Sequence, residues 1–306
     1  MVHIFQHTDF DGHAAAHLVK NLSLQMGLAY RLIPVQYNTS LLDELPQIHP
    51  DDQVFVVDYS FKENTIDELR GLLERVGKER FCWIDHHASS VELVKAHPEL
   101  SDIKGVVDAS ASGAALTYMY LNHCSFEDIP FYLKLISDYD TWTKKMVFSD
   151  PFDCGLAMED WSVESEVWDQ LDDIAFVNQI VENGSIISRY KMMNNERRLQ
   201  RWGFITEFCG YPCLAINIKE TSEIFGKHRD EFPVCVIFQT NGKGWFYTVY
   251  TDGKSVMASE IAARFGGGGH LGAAGFYTTE LLPEFHDYSR WKLFKEYQNE
   301  YKFPGR

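Results

Sequence analysis

The feature that most constrains the fold of this chain is a set of three clusters of aspartate and histidine, each just after a short apolar run. The clusters are His7-x-Asp9-x-Asp11, Asp58 and Asp85-His86-His87. The runs at 2–5, 54–57 and 81–84 are rich in β-branched and aromatic residues, as in strands buried on both faces of a parallel sheet. Ligands of open α/β sheets collect at the carboxyl ends of such strands. We therefore expect three strands to bring these side chains to one sheet edge and build a metal site.

The order of apolar patterns predicts the architecture. Strand-like runs alternate with helical periodicity in the first half of the chain, which is typical of a doubly wound parallel sheet. The strand expected over 31–37 contains Pro34, which favours a sheet edge. From 163 to 202 the periodicity is helical throughout, and short apolar strands follow. The predicted parts are an α/β domain over 1–185, a helical connector over 186–206 and a smaller α+β domain over 207–306.

The composition is that of a soluble globular protein, since 45% of the 306 residues are hydrophobic and 24% are charged. No apolar run approaches the roughly 20 residues of a membrane helix, and the first residues lack the basic start of a signal peptide. The six cysteines form no CxxC pair, which favours reduced thiols over disulfides or a zinc site. We therefore predict a cytoplasmic protein that does not bind membranes.

The net charge of −16 limits the kind of substrate. Proteins that grip long nucleic acids usually carry a basic face that neutralises phosphates, whereas this chain has 28 Lys and Arg against 44 Asp and Glu. Four carboxylates around two divalent cations would cancel part of the excess locally. The remaining negative charge argues against binding of a long duplex and favours a small anionic substrate.

The residue types of the clusters indicate which metal they suit. Carboxylate oxygens are ligands for Mn²⁺ and Mg²⁺, and imidazole shifts the preference toward Mn²⁺. Each cluster alone also has an interpretation without metal. The first cluster is acceptable as a plain loop before a helix, and Asp58 as a helix cap. Two further acids, Asp138 and Asp140, lie at a predicted helix end, where an anion is unfavourable unless a cation or solvent compensates it.

A glycine-rich run in the last third of the chain is the other strong signal. It comprises Gly266, Gly267, Gly268, Gly269 and His270. Consecutive glycines permit positive φ and let backbone amides surround an anion, and the histidine can donate to a phosphate oxygen. A flexible linker is the alternative, but the amphipathic stretch before the run and the apolar Phe276-Tyr277 after it favour a phosphate-binding site.

In this order of elements, the sequence resembles the DHH phosphoesterases, which are named for an Asp-His-His triplet like Asp85-His86-His87. The resemblance covers nearly the whole chain, from the His-x-Asp-x-Asp opening to the glycine-rich run of a DHH-associated C-terminal domain. It implies one metal held by His7, Asp9 and Asp58, and a second held by Asp11, Asp58, His86 and Asp138. Either Asp138 or Asp140 aligns with the last aspartate of the family, and we favour Asp138. His87 would face the scissile phosphate as a catalytic residue, with Asp85 supporting it.

The resemblance also implies a function. We expect a metal-dependent phosphodiesterase that uses two Mn²⁺, with Mg²⁺ or Co²⁺ as substitutes, to convert short single-stranded oligonucleotides or linear dinucleotides to mononucleotides. Alternatives are hydrolysis of 3′-phosphoadenosine 5′-phosphate or polyphosphate, a single-strand 5′→3′ exonuclease, and a nucleotide-binding sensor without activity. The spacing of the first cluster is nearer to the exonucleases than to the nano-RNases. The sequence leaves open whether the protein is a homodimer.

Overall fold

The computed structural model describes residues 1–36, 40–269, 271–286 and 291–300. Residues 298–300 are described by their backbone alone. The chain divides into two compact units, Met1–Ser188 and Arg189–Arg306. A single helix, Ile174–Trp202, runs through the point of division. The predicted three-part division, with a separate connector over 186–206, stays a prediction.

The described part of the N-terminal unit contains a parallel sheet of five strands. They are β1 (Val2–Gln6), β2 (Tyr30–Pro34), β3 (Gln53–Val57), β4 (Phe81–Asp85) and β5 (Lys104–Val107). Their order across the sheet is β2-β1-β3-β4-β5, and every neighbouring pair is parallel. The predicted parallel sheet is confirmed, and the strand with Pro34 lies at an edge as expected.

Helices cover both faces of this sheet. They are α1 (Phe10–Gln25), α2 (Ile66–Val76), α3 (Ala88–Ala96), α4 (Gly113–Asn122), α5 (Phe131–Asp140), α6 (Ser149–Leu156), α7 (Val167–Gln170) and α8 (Ile174–Trp202). Successive residues of a strand point to opposite faces. Ile4 accordingly packs in the core with α1, α4 and α5, while Phe5 packs with α2 and α3. Two cores, one on each face, confirm the doubly wound fold.

Two parts of the helical pattern differ from the prediction. Helix α6 was not anticipated, because Pro151 and Gly155 in its sequence are typical of loops; a proline is tolerated in the first turn, where amides lack helical partners. The helical run over 163–202 is interrupted between α7 and α8. Asp173 accepts a hydrogen bond from the Ala175 amide (2.9 Å), so it starts a new helix in the way of an N-cap.

The described part of the C-terminal unit is built on a second sheet of seven strands. They are β6 (Phe204–Phe208), β7 (Tyr211–Asn217), β8 (Val234–Thr240), β9 (Trp245–Tyr250), β10 (Gly268–Gly269), β11 (Ala273–Thr278) and β12 (Lys292–Leu293). The order is β10-β11-β9-β8-β7-β6-β12, and only the pair β7-β8 is parallel within these strands. Helices α9 (Ala258–Ala263) and α10 (Phe294–Glu300) complete the unit. This mostly antiparallel sheet with helices confirms the α+β class.

No helix among the residues described is long and apolar enough to cross a membrane. All six cysteines are free thiols. Burial raises the pKa of Cys82 and of Cys235 to about 12, so these two strand cysteines remain protonated thiols at neutral pH.

Candidate metal centre

The carboxyl ends of β1, β3 and β4 bring the three clusters to one edge of the parallel sheet. Three groups of side chains there have ligand atoms within 4.8 Å of one another. The groups are His7 with Asp9 and Asp58, Asp58 with His86 and His87, and Asp11 with His86 and Asp140. Asp58 and His86 each belong to two groups, so the edge forms one continuous cluster of oxygen and nitrogen donors.

The first group is assembled where β1 turns into α1. Asp9 is the N-cap of α1 and accepts a hydrogen bond from the Gly12 amide (2.9 Å). Its other carboxylate oxygen lies 2.6 Å from Nδ1 of His7, which is itself 3.9 Å from Oδ2 of Asp58. Burial raises the pKa of Asp9, but the hydrogen bond and charge of His7 outweigh it and lower the pKa to about 2. Asp9 is therefore ionised under all physiological conditions.

Asp58 lies at the centre of the cluster in an unusual backbone conformation. Its φ is 52°, in the left-handed region that non-glycine residues seldom adopt. Such strain is typical of functional sites. Burial, followed by the charges of Asp11 and Asp9, raises the pKa of Asp58 well above its usual range. Its buried Oδ2 makes no hydrogen bond within the part of the chain that the structure describes.

The imidazole of His86 lies between Asp58 and two further carboxylates, those of Asp11 and Asp140. Its Nε2 lies 3.1 Å from Oδ2 of Asp140, 3.3 Å from Oδ1 of Asp58 and 3.9 Å from Oδ2 of Asp11. Burial and the charges of neighbouring aspartates raise the pKa of Asp140 well above its usual value. Three carboxylates, of which those of Asp11 and Asp58 are buried, lie within 4 Å of one imidazole and repel each other; a divalent cation would relieve this repulsion.

Asp11 is held by the N-terminus of α4, through contacts that the sequence did not reveal. Its carboxylate accepts hydrogen bonds from the amides of Gly113 (2.6 Å) and Ala114 (2.9 Å). A Cβ atom on Gly113 would lie 2.8 Å from the Cβ of Asp58. Only glycine therefore allows α4 to approach so closely. The preceding residue, Ser112, is the N-cap of α4.

Asp138, the favoured last ligand, does not belong to the cluster. Its Oδ1 accepts hydrogen bonds from the Thr143 hydroxyl (2.6 Å) and the Lys145 amide (2.8 Å), and its Oδ2 accepts one from the Met146 amide (3.0 Å). The side chain therefore organises the loop after α5. Asp140 lies beside His86 instead, and this position favours Asp140; which of the two acids binds metal stays a prediction. Asp138 and Asp140 are two residues apart, which places them about 200° apart around the helix axis, on nearly opposite faces. Only one of them can therefore face the cluster.

The remaining two residues of the triplet form a hydrogen-bonded pair. Nδ1 of His87 lies 2.8 Å from Oδ1 of Asp85, which is fully buried at the end of β4. Burial lowers the pKa of His87, but the hydrogen bond and charge of Asp85 outweigh it and raise the pKa above its usual value. Oδ2 of Asp85 has no hydrogen-bond partner among the described residues. The pair orients the imidazole and favours its protonated form.

A small cavity of ≈ 80 Å³ lies beside the cluster. One side is formed by the carboxylate-bearing residues Asp9, Asp11 and Asp140. The other side is largely apolar and belongs to α5 and α6; it includes Tyr139 and Phe152. The cluster therefore borders a small pocket whose other wall is largely apolar.

Comparison with known proteins agrees with the motifs. No family model matches the chain. It is 23% identical over 306 residues to the oligoribonuclease NrnB of Bacillus subtilis, with 93% of this chain and 74% of the relative covered. An uncharacterised protein, R106, of Acanthamoeba polyphaga mimivirus is 24% identical over 238 residues, which cover 72% of this chain and 52% of that protein. Among solved structures, the pGpG-specific phosphodiesterase PggH of Vibrio cholerae has the same fold, with a TM-score of 0.51, 12% identity and coverage of 91% of this chain and 94% of that chain.

The motifs of the chain resemble those of the DHH phosphoesterases. The triplet that names the family stands at the end of β4, and the other strand-end acids surround it. The donor set also fits divalent cations, because four carboxylates and the imidazoles of His7 and His86 face one another with unpartnered buried oxygens among them.

The described part of the glycine-rich run follows α9 and contains the short strand β10. Gly268–Gly269 pairs with β11, and a Cβ on Gly267 would lie 2.2 Å from the carbonyl oxygen of Gly275. The amides of Gly266 and Gly267 donate to carbonyls of Ala263 and Ala262, so these two amides are not available to an anion. His270 lies outside the described residues. Substrate binding by this segment stays a prediction.

Removing metal from the protein is expected to make its stability fall as pH rises. The folded-state pKa values of Asp11, Asp58 and Asp140 are raised by burial. The metal-free native state therefore holds protons that the unfolded chain releases above its ordinary aspartate pKa of about 3.9. Their contribution to stability is complete below that pH and is lost as pH rises through the raised values.

A divalent cation replaces these protons, so Mn²⁺ should raise Tm more at pH 8 than at pH 5. At a metal concentration of 100 times Kd the gain is about 2.7 kcal/mol. Thermal unfolding with EDTA or with Mn²⁺ at the two pH values measures the difference. An equal rise in Tm at both pH values would contradict the expectation.

Proposed function

We propose that the chain is an Mn²⁺-dependent phosphodiesterase that hydrolyses short single-stranded oligonucleotides or linear dinucleotides to mononucleotides. The observation that carries the proposal is the shared position of Asp58, which belongs to a ligand group on either side of it. A carboxylate that bridges two groups is what a two-metal hydrolase requires. The similarity to an oligoribonuclease and to a pGpG phosphodiesterase supports a nucleic-acid substrate.

The two metal positions follow from the groups. We assign the first to His7, Asp9 and Asp58, and the second to Asp11, Asp58, His86 and Asp140. When bound, two such cations polarise a phosphoryl oxygen and lower the pKa of a water molecule toward neutrality. Imidazole on each side favours Mn²⁺ over Mg²⁺, with Mg²⁺ and Co²⁺ as substitutes.

The residues of the chain contribute binding, orientation and charge. His87 is held by Asp85, and one of its ring nitrogens lies within 4.8 Å of ligand atoms of Asp58 and His86. It can therefore donate a hydrogen bond to a phosphoryl oxygen bound at these residues. Its raised pKa favours the imidazolium, which stabilises the negative charge that develops there in the transition state. The amides of Gly113 and Ala114 hold Asp11 in place, so this ligand does not have to reorganise during the reaction.

We further propose that the glycine-rich segment with His270 binds the substrate from the C-terminal unit, and that the protein is cytoplasmic. The charge of the chain supports short single strands and argues against a long duplex. With 28 basic residues against 44 acidic ones, few phosphates away from the metals can be neutralised.

Substrate length provides the test. Dinucleotides to tetranucleotides should be cut with a higher kcat/KM than strands of ~20 nucleotides, and the dependence of KM on salt should be shallow because few counterions are released. A panel of single strands of increasing length, assayed with Mn²⁺ at two salt concentrations, measures both. A 20-nucleotide strand cut as well as or better than a dinucleotide would assign the chain to the exonuclease type instead. No cleavage of any phosphodiester would overturn the proposed function.

A further inference from the structure

We propose that residues 141–148, the loop that follows Asp140, form a nucleobase-binding element in which Trp142 stacks on a base of the substrate. The inference rests on the proposed function and deepens it, because it names the side chain that recognises the nucleoside next to the reacting phosphate. We call this segment the base loop.

The base loop is connected to the metal centre by direct contacts. Tyr139 lines the cavity together with Asp9, Asp11 and Asp140. The ring of Trp142 makes an edge contact with the ring of Tyr139, with 6.1 Å between the centroids. The ring of Tyr139 therefore connects Trp142 to the acid-lined cavity.

The backbone of the base loop is strained at two positions. Trp142 has a φ of 59° and Lys144 a φ of 49°, and neither is a glycine. Residues other than glycine persist in this left-handed region only when the surrounding structure holds them there, and they cluster at active sites and ligand clamps. Trp142 in particular is a bulky residue for which this conformation is a genuine outlier.

Two anchors hold the strained conformation. On one side, the buried carboxylate of Asp138 accepts the three hydrogen bonds from residues 143, 145 and 146 described above. On the other side, the ammonium group of Lys144 lies 3.3 Å from the centroid of the Tyr139 ring and forms an ion pair with Asp150. The loop is therefore fixed before any ligand arrives, so little conformational entropy is lost on binding.

Two large apolar side chains of the base loop are exposed to solvent. Trp142 is 46% exposed and Phe148 is 51% exposed. The edge contact with Tyr139 and the Lys144 ammonium, 4.5 Å from the ring centroid of Trp142, hold the indole ring while leaving nearly half of the residue exposed. Every base has a π-face, so an exposed and pre-oriented indole ring binds nucleobases with little sequence preference. A single-stranded or dinucleotide substrate fits this element, because its bases are not paired.

The test removes the ring from the protein and the base from the substrate. Trp142→Ala and Trp142→Leu should each raise KM for a dinucleotide by about tenfold, the order that stacking on one base supplies. Trp142→Phe, which keeps an aromatic face, should raise it by no more than about threefold. For an analogue that lacks the base nearest the loop, KM should be the same in the wild type and in Trp142→Ala, because the contact is already lost. Met26→Ala is the control, since Met26 is exposed (58%) at the opposite end of α1 from Asp9.

Thr143→Val tests the anchor, because it removes one hydrogen bond to Asp138 without touching the exposed rings. It should also raise KM more for the dinucleotide than for the abasic analogue. If the wild type cleaves dinucleotides while Trp142→Ala and Trp142→Leu leave KM unchanged, the base loop is overturned and the proposed function stands. An equal rise in KM for both substrates would assign Trp142 a structural role and overturn the inference. A wild type that cleaves neither dinucleotides nor short oligonucleotides would overturn both proposals.

Discussion

Replacing Asp58 with alanine is expected to remove most of both metal ions and to abolish nearly all activity. Asp58 is the residue that both metal positions share, so its loss takes one ligand from each. Loss of an outer partner of a metal ligand already costs ~10–100-fold in affinity or activity. We therefore expect kcat/KM to fall by more than hundredfold. Metal analysis of the purified variant and steady-state kinetics with Mn²⁺ measure the two effects.

Two further variants make this result interpretable. Asp58→Asn keeps the shape of the side chain and tolerates the positive φ of 52° better than alanine, so it separates loss of charge from loss of fold. Asp108→Ala is the matched control, because Asp108 also follows a strand of the same sheet but is exposed and hydrogen-bonded to Ser110. Full metal occupancy in both Asp58 variants would disprove the bridging role.

The second large effect is expected at the end of α5, where two acids are separated by one residue. Asp140→Asn should lose one of the two metals and more than a hundredfold in kcat/KM, because its carboxylate lies beside His86 in the cluster. Asp138→Asn should keep both metals. Metal content per chain and kinetics of the two variants distinguish the roles.

The Asp138→Asn variant has its own signature. Hydrogen bonds to a charged group contribute about 1.5–3 kcal/mol, and Asp138 accepts three of them from the loop that follows. The variant should therefore show a lower Tm and a higher KM for dinucleotides while its metal content is unchanged. If instead Asp138→Asn lost metal and Asp140→Asn kept it, Asp138 would be the ligand.

The charges of the aspartates give the physical reason for the different metal contents and activities expected of these variants. Asp9 is ionised because His7 compensates for its burial, and Asp138 is ionised because its hydrogen bonds outweigh its burial. Asp58 and Asp140 are different, since burial and neighbouring acids raise the pKa of each. The charges of Asp9 and Asp138 are therefore compensated even without metal, although Asp9 is also assigned to a metal position. The ionised forms of Asp58 and Asp140 are unfavourable without a cation, so metal binding would stabilise them.

Local sequence was enough to predict the parallel sheet and the edge at which the chemistry lies. The apolar runs of β1, β3 and β4 have the composition of buried strands, and residues at the ends of parallel strands meet at one edge whatever the details of the loops. The parallel pairing of β1 with β3 and of β3 with β4 confirms the sheet, and His7, Asp58 and His86 come together at its carboxyl edge. The α+β class of the C-terminal unit could also be predicted from local sequence. Asn241-Gly242 is typical of a tight turn between two strands, and the structure pairs β8 with β9 around it.

The tertiary structure alone decided which groups face the metals and what holds them. Asp138 and Asp140 lie in the same helical turn, and only the packing of α5 against its neighbours sets which of them points to His86. The left-handed conformation of Asp58 and the close approach of Gly113 depend on contacts between distant segments; Gly113 and its hydrogen-bond partner Asp11 are 102 residues apart. Periodicity and propensity describe neighbours in sequence, so they fix elements and edges. The rotation of a helix and the distance between two backbones are set by packing across the whole unit, and no local pattern encodes them.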